Sequence, residues 1–124
     1  MNPYVPFKCP ICDASMKVIL VMDYFHAHCS RGNHDCWGIE DRATEVKTIA
    51  AYRERKRLGN RKVMVTYFPK DENYKISIYV QAKPNPLADH ELVTIVLSKE
   101  EYETKYKNDN VALRKKLELA ETFQ

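Results

Sequence analysis

Four cysteines, Cys9, Cys12, Cys29 and Cys36, carry the clearest chemistry in the chain, and all lie in the first third of its 124 residues. Cys9-Pro10-Ile11-Cys12 has the two-residue separation that lets a tight knuckle aim two thiolates at one point, as tetrahedral zinc requires. Cys29 and Cys36 form a second pair with six intervening residues, among which Gly32 and Asn33 let the chain bend. The sixteen residues between the pairs are enough for two strands and a turn that bring the knuckles together. The expected site is one structural Zn2+ held by Cys9, Cys12, Cys29 and Cys36, with His34 as the alternative fourth ligand.

Four protein ligands leave no position for an activated water, so such a metal stabilises the fold and does not hydrolyse. His26 and His28 read as packed or solvated strand residues and not as ligands. Thiol redox chemistry at Cys9 and Cys12 is a minor alternative. A thioredoxin-like pair sits after a strand and at a helix N-terminus, whereas here a strand-like segment follows and no strand precedes. The chain has no Gly-rich phosphate loop, no metal-peptidase helix motif and no recognisable nucleophile arrangement, so the expectation is a protein that is not an enzyme.

The elements that must position the cysteines follow from patterning. Met16 to Met22, a turn near Asp23, and Tyr24 to His28 read as a hairpin flanked by cysteines. Asp41 is placed as the N-cap of a helix with Ala43, Val46, Ile49 and Ala50 at helical spacing, stopped by Gly59-Asn60. From Lys62 the period becomes two. Val63, Val65 and Tyr67 alternate with Met64, Thr66 and Phe68, and Ile76, Ile78, Val80 and Ala82 alternate with polar neighbours. Beyond a Pro84-Asn85-Pro86 loop, Leu92 to Leu97 supplies a third strand, and Ser98-Lys99-Glu100-Glu101 is a capping box for a C-terminal helix. A break or second cap is placed at Asn108-Asp109-Asn110.

The fold class this implies is α+β: an N-terminal zinc ribbon (β-hairpin plus helix), then a small antiparallel β-sheet and a C-terminal helix. The units are residues 1–58, the ribbon with its trailing helix, and 62–124, a three-stranded sheet plus helix that could share a core with the first.

The formal net charge of +3 is too mild to argue for a polyanion partner from the whole molecule. A local cluster of Arg53, Arg55, Lys56, Arg57, Arg61 and Lys62, at the end of the expected helix, is the candidate nucleic-acid contact, with Tyr24, Phe25 and Trp37 as stacking faces. Basic residues at a helix C-terminus are also favoured by the helix dipole alone. Tyr106, Asn110, Leu113 and Leu117 form a seam that suits a homodimer or packing on the sheet, with Asn110 as a register-fixing residue. The longest apolar run, Val18 to Met22, is far short of the roughly 18 residues of a membrane span. The N-terminal residues lack the features of a secretory signal, so a reducing cytoplasm is the expected location.

The first 58 residues resemble the phage and prophage zinc-ribbon proteins of the restriction alleviation (Lar) family. The resemblance rests on the Cys9-Pro10-Ile11-Cys12 opening, the hydrophobic hairpin, the pair Cys29 and Cys36, and Ile49-Ala50-Ala51-Tyr52-Arg53 in place of an Ala-x-x-Trp-Asn-like signature. Asp13 stands where that family usually has glycine. The resemblance implies a small accessory protein of a phage, acting in the host bacterial cytoplasm on a defence or nucleic-acid-handling protein. A DNA- or RNA-binding regulator using the ribbon and basic cluster is the alternative.

Overall fold

A computed structural model describes residues 7–41, 43, 46–81 and 89–122. The expected Pro84-Asn85-Pro86 loop lies outside them. Eight strands form one sheet in chain order: β1 Phe7–Lys8, β2 Ser15–Val21, β3 Tyr24–Cys29, β4 His34–Asp41, β5 Val46–Leu58, β6 Arg61–Phe68, β7 Asn73–Gln81 and β8 Asp89–Ser98. Then come α1 Lys99–Glu101, a π-helical turn Tyr102–Tyr106 and α2 Asn110–Thr122. The pairings β1 to β2, β2 to β3, β3 to β4, β4 to β5 and β7 to β8 are antiparallel. The fold is therefore mostly antiparallel sheet, with short helices confined to the C-terminal part.

Two compact units divide the chain, Met1–Glu54 with Tyr67–Asp71 and Arg55–Thr66 with Glu72–Gln124. In the first, the β2–β3 hairpin turns at Met22-Asp23, and strict alternation sends Met16, Val18, Phe25, Ala27 and Cys29 to one face. These residues and Cys9 and Cys36 form its buried core, with Leu20, Ile49 and Tyr52 packed against it. Tyr67 stacks on Tyr52 with ring centroids 6.0 Å apart.

The expected helix after Asp41 is instead strand β5, and this is a correction. Asp41 ends β4, and its carboxylate accepts from the Ala43 backbone N–H at 3.0 Å in a turn. The β4–β5 register shifts between Trp37 and Gly38: Gly38 pairs with Ile49 and Trp37 with Ala51, leaving Ala50 as the extra residue of a bulge. One inserted residue reverses the phase of alternation. Strand-period apolar positions on either side of the bulge thus mimic helical spacing, while Thr48, Ile49 and Tyr52 favour the extended chain. Gly38 is required at that point, because a Cβ there would overlap the Thr48 carbonyl oxygen and lie 2.8 Å from the Phe25 ring.

In the second unit Val63, Val65, Ile76, Ile78, Val93 and Leu97 present one apolar face, on which Tyr102, Leu113 and Leu117 close the core. Ser98 caps α1 by accepting the Glu101 backbone N–H at 3.1 Å, the contact its sequence pattern predicts. The helical segment breaks before Asn110, where Asp109 caps α2 by accepting from the Ala112 N–H at 3.0 Å. Leu113 and Leu117 are 0% and 2% exposed and Tyr106 packs beside them, so three of the four seam residues are spent inside their own chain, and Asn110 is exposed at the start of α2.

Candidate metal centre

The site is assembled where strands β1 to β4 end. Phe7 and Lys8 pair with Met16 and Ser15, and the ladder continues into the knuckle, where the Cys9 N–H donates to Ala14 O at 2.8 Å. The Asp13 N–H closes the knuckle on Cys9 O at 2.8 Å, and Asp13 takes a φ of 62°. That left-handed conformation is the one in which glycine is most at ease, and aspartate tolerates it better than most residues. On the other side β3 ends at Cys29 and β4 begins at His34, one step beyond the cross-strand pair His28 and Asp35. Gly32, at φ 78°, turns the chain between them, its N–H bonded to Cys29 O at 2.9 Å.

The result brings Cys9, Cys12, Cys29 and His34 together, with the Sγ atoms and an imidazole nitrogen all within 4.8 Å of one another, close enough to hold one metal ion. Cys12 Sγ lies 3.4 Å from Cys29 Sγ, and Cys9 Sγ lies 3.5 Å from His34 Nδ1. The far ring nitrogen, His34 Nε2, lies 3.0 Å from Glu54 Oε2 on β5. A carboxylate behind a ligating histidine fixes the tautomer that leaves the near nitrogen's lone pair for the metal. The Ile11 backbone N–H also points at Cys9 Sγ, at 3.4 Å.

Backbone contacts at the knuckle and burial in the core act on the sulfurs in opposite directions. The Ala14 backbone N–H, opposed by burial, brings the Cys12 thiol down to about 7. Burial raises Cys9. Burial, reinforced by the adjacent Asp35 charge, pushes Cys36 up to about 11.

Cys36 is not in the four-donor group. It pairs with Ala27 and Tyr52 in mid-sheet and is fully buried in the core. His34 and Cys36 share a face of β4, but two residues along a strand is roughly 6.6 Å, which puts Cys36 one repeat deeper than the converging strand ends. The longer imidazole at His34 reaches back over the knuckle. Tertiary register therefore favours the alternative fourth donor.

The knuckle is preceded by the two-residue β1 and followed by β2, so Cys9 and Cys12 do not stand at a helix N-terminus as a thioredoxin-like pair does. The basic cluster sits on β5 and β6 and not at a helix end. Arg53 is taken up by Asp35, with Nε to Oδ1 at 2.9 Å and Nη2 to Oδ2 at 2.6 Å, and its Cζ lies 5.2 Å from the Trp37 ring centroid. Arg61 is paired with Glu121 at 2.5 Å. Arg55 and Lys56 are half-buried, while Arg57 and Lys62 are exposed. Of the three aromatics, Phe25 is core, Trp37 is half-buried and Tyr24 is 65% exposed. Among the described residues no helix is long and apolar enough to cross a membrane. Comparison with protein families, with curated proteins and with solved structures finds no match to this chain.

Proposed function

We propose that the protein is a non-enzymatic binding module whose first unit is stapled by one Zn2+ on Cys9, Cys12, Cys29 and His34. The observation that carries this reading is the convergence of three thiols and one carboxylate-backed imidazole within 4.8 Å. Soft thiolates with one imidazole are a zinc donor set, and four protein ligands close the tetrahedron. Bound there, zinc would supply folding free energy on the order of 10 kcal/mol to a unit with a small core.

The partner is argued from the opposite face of the same unit. Val21 pairs across to Tyr24, and Tyr24 to Ile39, giving one cross-strand row with side chains 61%, 65% and 54% exposed. Ile19 extends the row along β2. An exposed apolar row on a sheet favours a protein surface over a phosphate backbone, and of the cluster cations Arg53 and Arg61 are engaged in ion pairs. The Cys-Pro-x-Cys opening supports a phage-type setting in which that partner is a host defence or nucleic-acid-handling protein.

Two measurements test this. Metal analysis of the purified protein is expected to give one zinc per chain. Capture from a bacterial lysate with wild type and with Tyr24→Asp is expected to retain a protein with the first and lose it with the second. Tight binding to DNA or RNA that falls steeply with salt would replace this reading with the nucleic-acid regulator.

A further inference from the structure

The opposite face of the first unit carries a second constellation that the four-donor centre does not use. Alternation along β3 puts His26 and His28 on one face, and their ring centroids are 4.2 Å apart. Directly across from His28 on β4 stands Asp35, whose side chain is only 1% exposed and whose Oδ2 lies 3.6 Å from His26 Nε2. A nitrogen from each histidine and an Asp35 oxygen lie within 4.8 Å of one another. We propose that His26, His28 and Asp35 form a second metal site, taking a divalent transition ion of the Zn2+, Ni2+ or Cu2+ class.

The donor chemistry sets the ion class. Two imidazoles and one carboxylate are borderline ligands, suited to these ions and poorly suited to Ca2+ or Mg2+, which demand oxygen shells. Arg53 grips Asp35 from the other side through both carboxylate oxygens. Each oxygen has two lone pairs, so Oδ2 can accept from Arg53 and still face the histidines. The guanidinium keeps Asp35 oriented and ionised, as outer partners of ligating carboxylates do. Its positive charge also weakens the site for a cation, so the second ion is held less tightly than the first. His26 is 43% exposed and His28 is exposed, which provides an entry path and leaves coordination positions for water or an added ligand. The site is therefore exchangeable, in contrast to the closed cysteine centre.

The molecule contains its own reporter, because Trp37, its single tryptophan, is the direct cross-strand partner of His26. The test is titration of the zinc-loaded protein with Ni2+, read as quenching of Trp37 fluorescence, in wild type, in His26→Ala and in His28→Ala. Saturable quenching is expected in wild type, with affinity reduced at least about tenfold in each variant, since even outer partners of ligands are worth 10- to 100-fold. Far-ultraviolet circular dichroism and thermal melting of the same samples are expected to match wild type, which shows that the variants fold. Absence of saturable quenching in wild type, or equal quenching in the His26→Ala/His28→Ala double variant, would overturn the proposal. The comparison does not depend on the cysteine centre: the wild-type-minus-variant difference reads the histidine site even if the thiols hold no zinc.

Discussion

His34 touches both sides of its environment at once: Nδ1 is 3.5 Å from Cys9 Sγ, and Nε2 is 3.0 Å from Glu54 Oε2. This bridge couples a loop-borne thiol to strand β5, and with a metal on the proposed donors Glu54 would be a positioning residue for it. Glu54→Gln is expected to lower metal affinity by roughly 10- to 100-fold without unfolding the protein, measured by chelator competition. Unchanged affinity would show that the carboxylate only solvates the ring.

The fourth donor can be decided by substitution. His34→Ala is expected to change the visible spectrum of the Co2+-substituted protein, with one nitrogen ligand replaced. Cys36→Ala is expected to leave that spectrum intact and to cost only about 1 kcal/mol of stability, as a modest core truncation. The reverse pattern would place Cys36 on the metal.

Metal removal should act on one core and spare the other. All four donors belong to the first unit, and the core around Ile76 and Leu113 contains none of them. Chelation is expected to speed hydrogen exchange at the backbone amides of β2 to β4, while amides of β7 and β8 stay protected. Uniform loss of protection would make the two units one cooperative structure.

Gly38→Ala is expected to destabilise the protein by about 3 kcal/mol or more, because the new methyl would occupy the space of a backbone carbonyl and a buried ring. Urea denaturation followed by Trp37 fluorescence measures it, since Trp37 is the adjacent residue.

Leu113→Ala should cost about 2 to 5 kcal/mol by leaving a cavity in the second core, with no change in oligomeric state. Equilibrium sedimentation and thermal melting check the two halves of this expectation. Concentration-dependent dissociation caused by the substitution would instead assign these residues to a homodimer seam.

Local chemistry was legible in the chain itself. The Cys9–Cys12 knuckle, the β2–β3 hairpin, the strands over Lys62 to Phe68 and Lys75 to Gln81, and the Ser98 cap all depend on residues close in sequence. Their signals are spacing, period and capping chemistry, each complete within a few residues. β5 escaped because its bulge at Ala50 breaks the period of two, and a bulge is defined by the partner strand, which no single segment contains.

What the amino-acid sequence determined by itself was the donor inventory, three cysteines of a candidate metal centre and a short menu for the fourth ligand, together with the strand alternation of the second unit. Only the tertiary structure decided that His34 stands with Cys9, Cys12 and Cys29, that Cys36 belongs to the core, and that His28 faces Asp35. The physical reason is register. Moving a strand by two residues shifts a side chain by roughly 6.6 Å, more than a metal's coordination radius, and cross-strand register is set by hydrogen-bond ladders between segments distant in sequence.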